Sequence, residues 1–267
     1  MIDVLDISEA QGVIDFRRVA AAKVAPGVDR HFRGVLVKVT EGEHYKDPRR
    51  LEYLASAAAV GLRTGAYHFL HPDDELKSAA DGLRLARRVW DAIGDTVPHF
   101  RVAIDLEGAA LHLTSQNLLD RVFWARDGIR SFFGRNPTLY TYPDFYDRRL
   151  ASAFDVSQEL ADTVPLHWAS YGDGYPWYPK PSQVPRVRGL WKKITLWQYS
   201  GNTKKRSGAW NGLVDGIAWD VDRNVFLGTE EEFADFCGGV GGAGEPFAKI
   251  VHAMPATLPR EIDTDTD

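Results

Sequence analysis

Short apolar runs rich in β-branched residues punctuate the chain at Val4–Ile7, Gly34–Thr40, Gly65–Leu70, Arg101–Leu106, Pro137–Tyr142, Pro165–Ser170 and Ile194–Ser200. Each is too short for a helix, so the pattern predicts strands. Between the early runs lie stretches with apolar residues at helical spacing: "DFRRVAAAKV", "PRRLEYLASAAAVG", "ELKSAADGLRLARRVWDAI" and "SQNLLDRVFWARDGIRSFF". The second opens at Pro48 and stops at Gly61, the usual order of helix punctuation. Strand starts recur about every thirty residues, the length of a βαβ unit. That alternation predicts a parallel sheet, and this many units predict a barrel closed on itself.

The rhythm fails after Tyr171. "GDGYPWYPKPSQVPRVRGLWKK" holds four prolines and no helical period, so it predicts a stiff loop. "ITLWQYS" and "NGLVDGIAWDVDRNVF" then predict closing strands that pair antiparallel with few covering helices. The expected fold is therefore α/β, a flattened, incomplete TIM-like (β/α)8 barrel with few helices in its second half. Residues 1–236 are expected to form one barrel domain. Residues 237–267 open with "CGGVGGAGEP" and end with "REIDTDTD", which predicts a Gly-rich linker and an acidic, partly disordered tail.

Composition narrows the function. The 267 residues suit one α/β barrel, and 44% hydrophobic content supplies a large core. A net charge of −5 argues against a nucleic-acid partner. No apolar run is long enough to span a bilayer, so no membrane insertion is expected. The single cysteine, Cys237, excludes an intrachain disulfide framework and reads as packing rather than as a nucleophile. "MIDVLDISEA" lacks a basic n-region, so no signal peptide is expected there. The chain would then act inside a cell, leave by a route needing no signal, or lack a leader in this sequence. A monomer is expected.

Active sites of parallel barrels form at the C-terminal ends of the strands. The residues there are Asp6 and Ser8; Lys38, Thr40 and Glu41; Tyr67, His68 and Phe69; Asp105 and Glu107; Tyr140 and Tyr142; Trp168, Ser170 and Tyr171; Trp197, Gln198 and Tyr199; and Asp220, Asp222 and Asn224. In "RVAIDLEGA", Asp105 and Glu107 share one face of a strand, with β-carbons roughly 6–7 Å apart. Mutual repulsion and burial should keep one of them protonated. A protonated carboxyl beside ionised ones is what glycoside hydrolysis needs. Aromatics fit that reading, because six of the eight tryptophans fall between Trp168 and Trp219 and flat rings suit sugar faces. "HFLHPDD" has metal-like spacing, but His68 and His71 have opposite strand parity. Asp73 or Asp74 is expected to cap the next helix instead. With no G-x-G-x-x-G and no P-loop, neither a cofactor nor a metal is expected.

Eight motifs in order complete the picture: "DIS", "VKVTEG", "AVGLRTGAYHF", "AIDLE", "PTLYTY", "PLHWASY", "LWQYS" and "VDRNVF". Over roughly residues 3–236 the chain resembles the glycoside hydrolase family 25 lysozymes, the Chalaropsis-type N-acetylmuramidases common among phage endolysins. The resemblance implies an enzyme that cleaves the β-1,4 bond between N-acetylmuramic acid and N-acetylglucosamine in peptidoglycan, with the glycan strand as partner. It implies Glu107 as general acid, Asp105 as its partner, and Asp6 and Asp222 as outer carboxylates. Asp220 competes with Asp222, which is preferred for its D-x-N spacing to Asn224. Tyr67, Tyr140, Trp168, Tyr171, Gln198 and Glu41 would bind glycan. An endolysin would wait in the host cytoplasm, or ride in the virion, before acting on the wall. Substrate-assisted retention, inversion through an activated water and direct carboxylate attack all stay open. The rival functions are a non-catalytic glycan-binding or virion structural barrel, and a chitinase-like barrel. The last is disfavoured because the D-x-x-D-x-D-x-E series is missing before "AIDLE".

Overall fold

The computed structural model describes residues 1–96, 98–108, 112–171, 178–201 and 213–238. Eight strands form its centre: β1 (Ile2–Ile7), β2 (Gly34–Glu41), β3 (Arg63–Phe69), β4 (Ala103–Asp105), β5 (Thr138–Thr141), β6 (Leu166–Ala169), β7 (Ile194–Ser200) and β8 (Asp222–Phe226). They pair in sequence from β2 to β7, and β8 lies between β7 and β1. A β1–β2 pairing closes the ring, which leaves no exposed edge. β8 runs antiparallel to both neighbours, as its sequence predicts, and the other pairs are parallel.

The helices α1 (Phe16–Ala21), α2 (Arg50–Ala59), α3 (Ala79–Ile93) and α4 (Ser115–Phe133) belong to the first half. After β6, the only helical segments among the described residues are a 3-10 turn at Pro181–Gln183 and a closing helix at Glu230–Phe236. What is incomplete is thus the helix layer, not the strand ring. α4 matches its predicted span; a Thr114–Asn117 capping box starts it and Gly134, at φ 68°, stops it. α3 and α4 cross at Gly82 and Gly128, where a β-carbon on either would collide with the other helix's backbone.

Two expectations fail locally. The stretch from Asp15 to Val24 is helical only to Ala21, and Lys23–Ala25 then pairs with Val28–His31 in a hairpin. Gly27 turns that hairpin at φ 75°, following Pro26. Neither Asp73 nor Asp74 caps α3. Both sit in the short helix Pro72–Glu75, and the Ser78 side chain accepts the Asp81 N–H at the start of α3.

Strand alternation divides the core in two. Outward residues such as Leu5, Val37, Ile104, Leu139 and Leu166 meet Leu54, Leu85 and Val122 of the helices. Inward residues Ile2, Val4, Leu36, Leu196 and Phe226 form a floor, plugged by Phe100, Phe233, Phe236 and Cys237. Burial pushes the Cys237 thiol up to about 12, so it stays a packed, uncharged group. Barrel packing therefore includes Cys237, the first residue of the expected linker; residues 239–267 of that linker and tail lie outside the described residues.

Candidate active site

Along the same inward faces, nearer the mouth, chemistry replaces packing. β1 passes from Val4 to Asp6, β2 from Leu36 to Lys38, β7 from Leu196 to Gln198, and β8 from Phe226 through Asn224 to Asp222. Asp6 and Asp222 are direct cross-strand partners. Asp220 precedes β8 and its carbonyl accepts from Gln11 Nε2 at 2.9 Å, so Asp222 is the acid that joins Asp6. Asp105 pairs with Phe69 on one side and Tyr140 on the other. β4 ends at Asp105, yet Glu107 still lines the same cleft and couples electrically to Asp105.

Four carboxyl groups thus share one mouth, and each holds its proton more tightly than usual. Burial is the first cause for all four. For Asp6 the charges of Asp222 and Glu107 add to it, while a hydrogen bond from Tyr67 opposes it. Asp105 is raised further by Glu107 and Asp6. Asp222 is raised to about 7, with help from Glu107 and Asp220. For Glu107 a hydrogen bond from Tyr140 and the charge of Lys38 oppose burial without cancelling it. Packing four such groups together means they cannot all ionise near neutral pH.

Lys38 is the cation that faces them, and the sequence gives it no role. It lowers Asp6, Asp105 and Glu107. Its ammonium lies 4.9 Å from the Phe69 ring and pairs with Glu41. Period-two parity in "VKVTEG" carries the signal, since Lys38 shares a face with Leu36. The cleft, of about 710 Å³, is lined by Phe69, Glu107, Tyr140, Tyr142, Pro143, Asp144, Ala169, Ser170 and Tyr171. Tyr171 is 50% exposed at its rim. A β-carbon on Gly201 would fall 2.9 Å from Asp222 Oδ1 and against the Tyr171 hydroxyl, so this glycine makes room for both.

Several residues expected to bind glycan are buried or lie beside the cleft rather than in its lining. Trp168 is 1% exposed and packs edge-on against Tyr146 at 5.5 Å, outside the barrel. It has the opposite parity to His167, which points inward and bonds Asn224 at 2.7 Å. Gln198 is also 1% exposed and offers no surface to a sugar; its Oε1 accepts the hydroxyls of Tyr140 at 2.9 Å and Tyr171 at 2.7 Å. Tyr67 is half-buried and hydrogen-bonds Asp6. Glu41 lines an adjoining hollow of about 510 Å³ with His71, Asp74 and Lys77. Burial would raise the Glu41 carboxyl, but Lys38 and His71 outweigh it and hold it low. His68 is fully engaged, by Thr40 and Glu75 at 2.8 Å each, and Arg88 completes the pair at 2.9 Å from Glu75. No group of acids, histidines and cysteines among the described residues could hold a metal. No described helix is long and apolar enough to cross a membrane.

A closed barrel with carboxyl groups of raised proton affinity around an aromatic cleft defines a retaining or inverting glycosidase-type site. The model of the glycosyl hydrolases family 25 matches residues 5–207, and the chain belongs to that family. "Uncharacterized protein YegX" of Escherichia coli O157:H7 is 28% identical over 88% of this chain and 73% of its own length. "Lysozyme M1" of Streptomyces globisporus is 29% identical over 84% of this chain and 67% of its own length. The crystal structure of the bacterial lysozyme from Streptomyces coelicolor superposes with a TM-score of 0.68 at 20% identity, covering 88% of this chain and 96% of that one; it shares the fold.

Proposed function

We propose that this family 25 glycosyl hydrolase is an N-acetylmuramidase that cleaves the β-1,4 bond between N-acetylmuramic acid and N-acetylglucosamine in peptidoglycan, and so acts at the cell wall. The carrying observation is the set of four carboxyl groups at one barrel mouth, all with raised proton affinity. A non-catalytic glycan-binding barrel has no use for carboxyl groups that must be buried against one another. Glu107 is the general acid: it lines the open cleft and gives its proton to the leaving glycosidic oxygen.

Asp105 is 8% exposed, and its Oδ1 has no hydrogen-bond partner among the described residues. A buried acceptor of this kind calls for a donor, and the acetamido N–H of the substrate supplies one. Held so, the acetamido oxygen attacks the anomeric carbon as the glycosidic bond breaks. Water then opens the cyclic intermediate and returns a proton to Glu107, with net retention. Asp6 and Asp222, when ionised, stabilise the positive charge that develops on the sugar. Mass spectrometry of a peptidoglycan digest tests the bond assignment. Muropeptides with N-acetylmuramic acid at the reducing end are expected, and N-acetylglucosamine ends would refute it. NMR of the first-formed anomer tests the mechanism, because inversion would eliminate attack by the acetamido group.

A further inference from the structure

Of the described tryptophans from Trp168 on, Trp168, Trp191 and Trp197 are core residues. Trp219 is the exception, 63% exposed. An indole carries a large apolar area, and leaving it in water forgoes the gain of burying it. A lone exposed apolar residue on a plain surface, such as Val156, needs no explanation. Trp219 differs by its place. It stands three residues before Asp222, which opens β8 at the mouth and pairs with Asp6. Their α-carbons therefore lie within about 10 Å of each other. The cleft is lined from β3 through β6 and the segments that follow them, whereas β8 lies between β7 and β1, on the other side of the ring. We propose that Trp219 is a glycan-binding platform across the mouth from the cleft, on which the apolar face of a more distant sugar of the same strand stacks.

The segment that carries Trp219 is clipped to the one that follows β1. Gln11 Nε2 donates to the Asp220 carbonyl at 2.9 Å, the Asp15 N–H donates to the Gly216 carbonyl at 2.9 Å, and Ile14 bridges Ile217. A β-carbon on Gly216, at φ 93°, would collide with the Asp15 carbonyl, so only glycine allows this close approach. A β-carbon on Gly12 would come within 3.7 Å of Trp219 Nε1, so that edge of the indole lies beside Gly12. A ring held in place before binding loses little freedom when a sugar arrives. Val13, exposed next to Gly12, continues the apolar strip toward a hollow of about 550 Å³ that it lines with Ile217, Arg18 and Asp215. Sugars suit such a strip, because one face of the ring is C–H and its rim is hydroxyl. Asp220, half-buried beside the indole, offers carboxylate oxygens to those hydroxyls. The substrate is a polymer, so a sugar held at the carboxyl groups has neighbours that must leave the mouth across its rim.

The inference rests on the substrate being the peptidoglycan glycan strand, so its test has one arm that reads cleavage and one that reads binding alone. Peptide-free strands of alternating N-acetylglucosamine and N-acetylmuramic acid, sorted by length, are the probe for both. In Trp219→Ala, KM for long strands should rise about tenfold with kcat unchanged. The shortest strand that is cleaved should be affected far less, and Trp219→Tyr, which keeps a ring, should recover most of the loss. An unchanged KM on long strands overturns the proposal. So does a loss that is equal at every length or that falls on kcat, because a merely structural role would produce it. Should Trp219→Ala not fold, Trp219→Gln is read in the same way. The binding arm uses Glu107→Gln, so that strands are held without being cut. Its Trp219 indole N–H signal, identified by the signal lost in Glu107→Gln/Trp219→Phe, should move in NMR spectra as long strands are added. A signal that stays in place at saturating strand concentration overturns the proposal. If the digest showed N-acetylglucosamine reducing ends, the muramidase reading would fall separately, while the indole signal would still decide the role of Trp219.

Discussion

The floor and the mouth of the barrel are built from the same faces of the same strands, yet they obey opposite rules. At the floor, Ile2, Val4, Leu36, Leu196 and Phe226 interdigitate with a cap of phenylalanines. Nearer the mouth, Asp6, Lys38, Gln198 and Asp222 occupy inward positions of those strands. Packing at the floor is dry and self-satisfied, so it stabilises the fold. The mouth crowds groups that oppose one another's ionisation, which weakens the fold and stores reactivity. Along one inward face, depth separates structure from function here.

Substitutions at the two levels should therefore have opposite signatures. The largest structural effect is expected from Phe226→Ala, which empties a ring packed 5.3 Å from both Phe233 and Phe236. It should cost about 3–5 kcal/mol in denaturant unfolding. Equal stability to wild type would show that the floor is not the anchor.

Asp222→Asn, at the other end of the same strand, should do the reverse. Activity should fall by about two orders of magnitude if this carboxylate stabilises the transition state. Stability should rise, and the sign follows from its pKa, raised from 3.8 to about 7. Ionising Asp222 is harder in the folded protein than in the unfolded chain, so wild-type stability is lost as pH climbs through that window. The variant should melt higher than wild type at about pH 8 and together with it near about pH 3. A melting gain that is independent of pH would contradict the assignment.

A smaller effect is expected from Gly201→Ala, whose methyl group would press on Asp222 and Tyr171. A drop in kcat/KM of about tenfold, with little change in folding, would place those two groups in the working geometry. Unaltered kinetics would remove them from it. The smallest belongs to Trp168→Phe. Because this ring packs beside Tyr146 outside the barrel, KM for peptidoglycan should be unchanged while stability drops by about 1–2 kcal/mol. A raised KM would restore Trp168 to the cleft.

These contrasts mirror what the sequence discloses. The barrel was legible because its strands are apolar runs at regular spacing, and α4 because its cap, period and terminal glycine agree. The hairpin after α1 was hidden by an alanine-rich stretch, although Pro26–Gly27 is a turn signal that outweighs it. Asp6, Asp105, Glu107 and Asp222 stood out as acids at strand ends, a position where burial makes charge costly. Trp168 and Gln198 are buried although their residue types suggest sugar contact, because depth and parity decide exposure. The hydroxyl protons shared between Tyr140, Tyr171 and Gln198 join three strand ends, and no local pattern records such a contact.

The account's central claim is that Glu107 is the proton donor of the mouth. Release of reducing ends from purified peptidoglycan by wild type and by Glu107→Gln, two proteins of the same shape, tests it most directly. The rate should fall by at least about a thousandfold with melting temperature maintained or raised. Cleavage by the glutamine variant at the wild-type rate would contradict the claim.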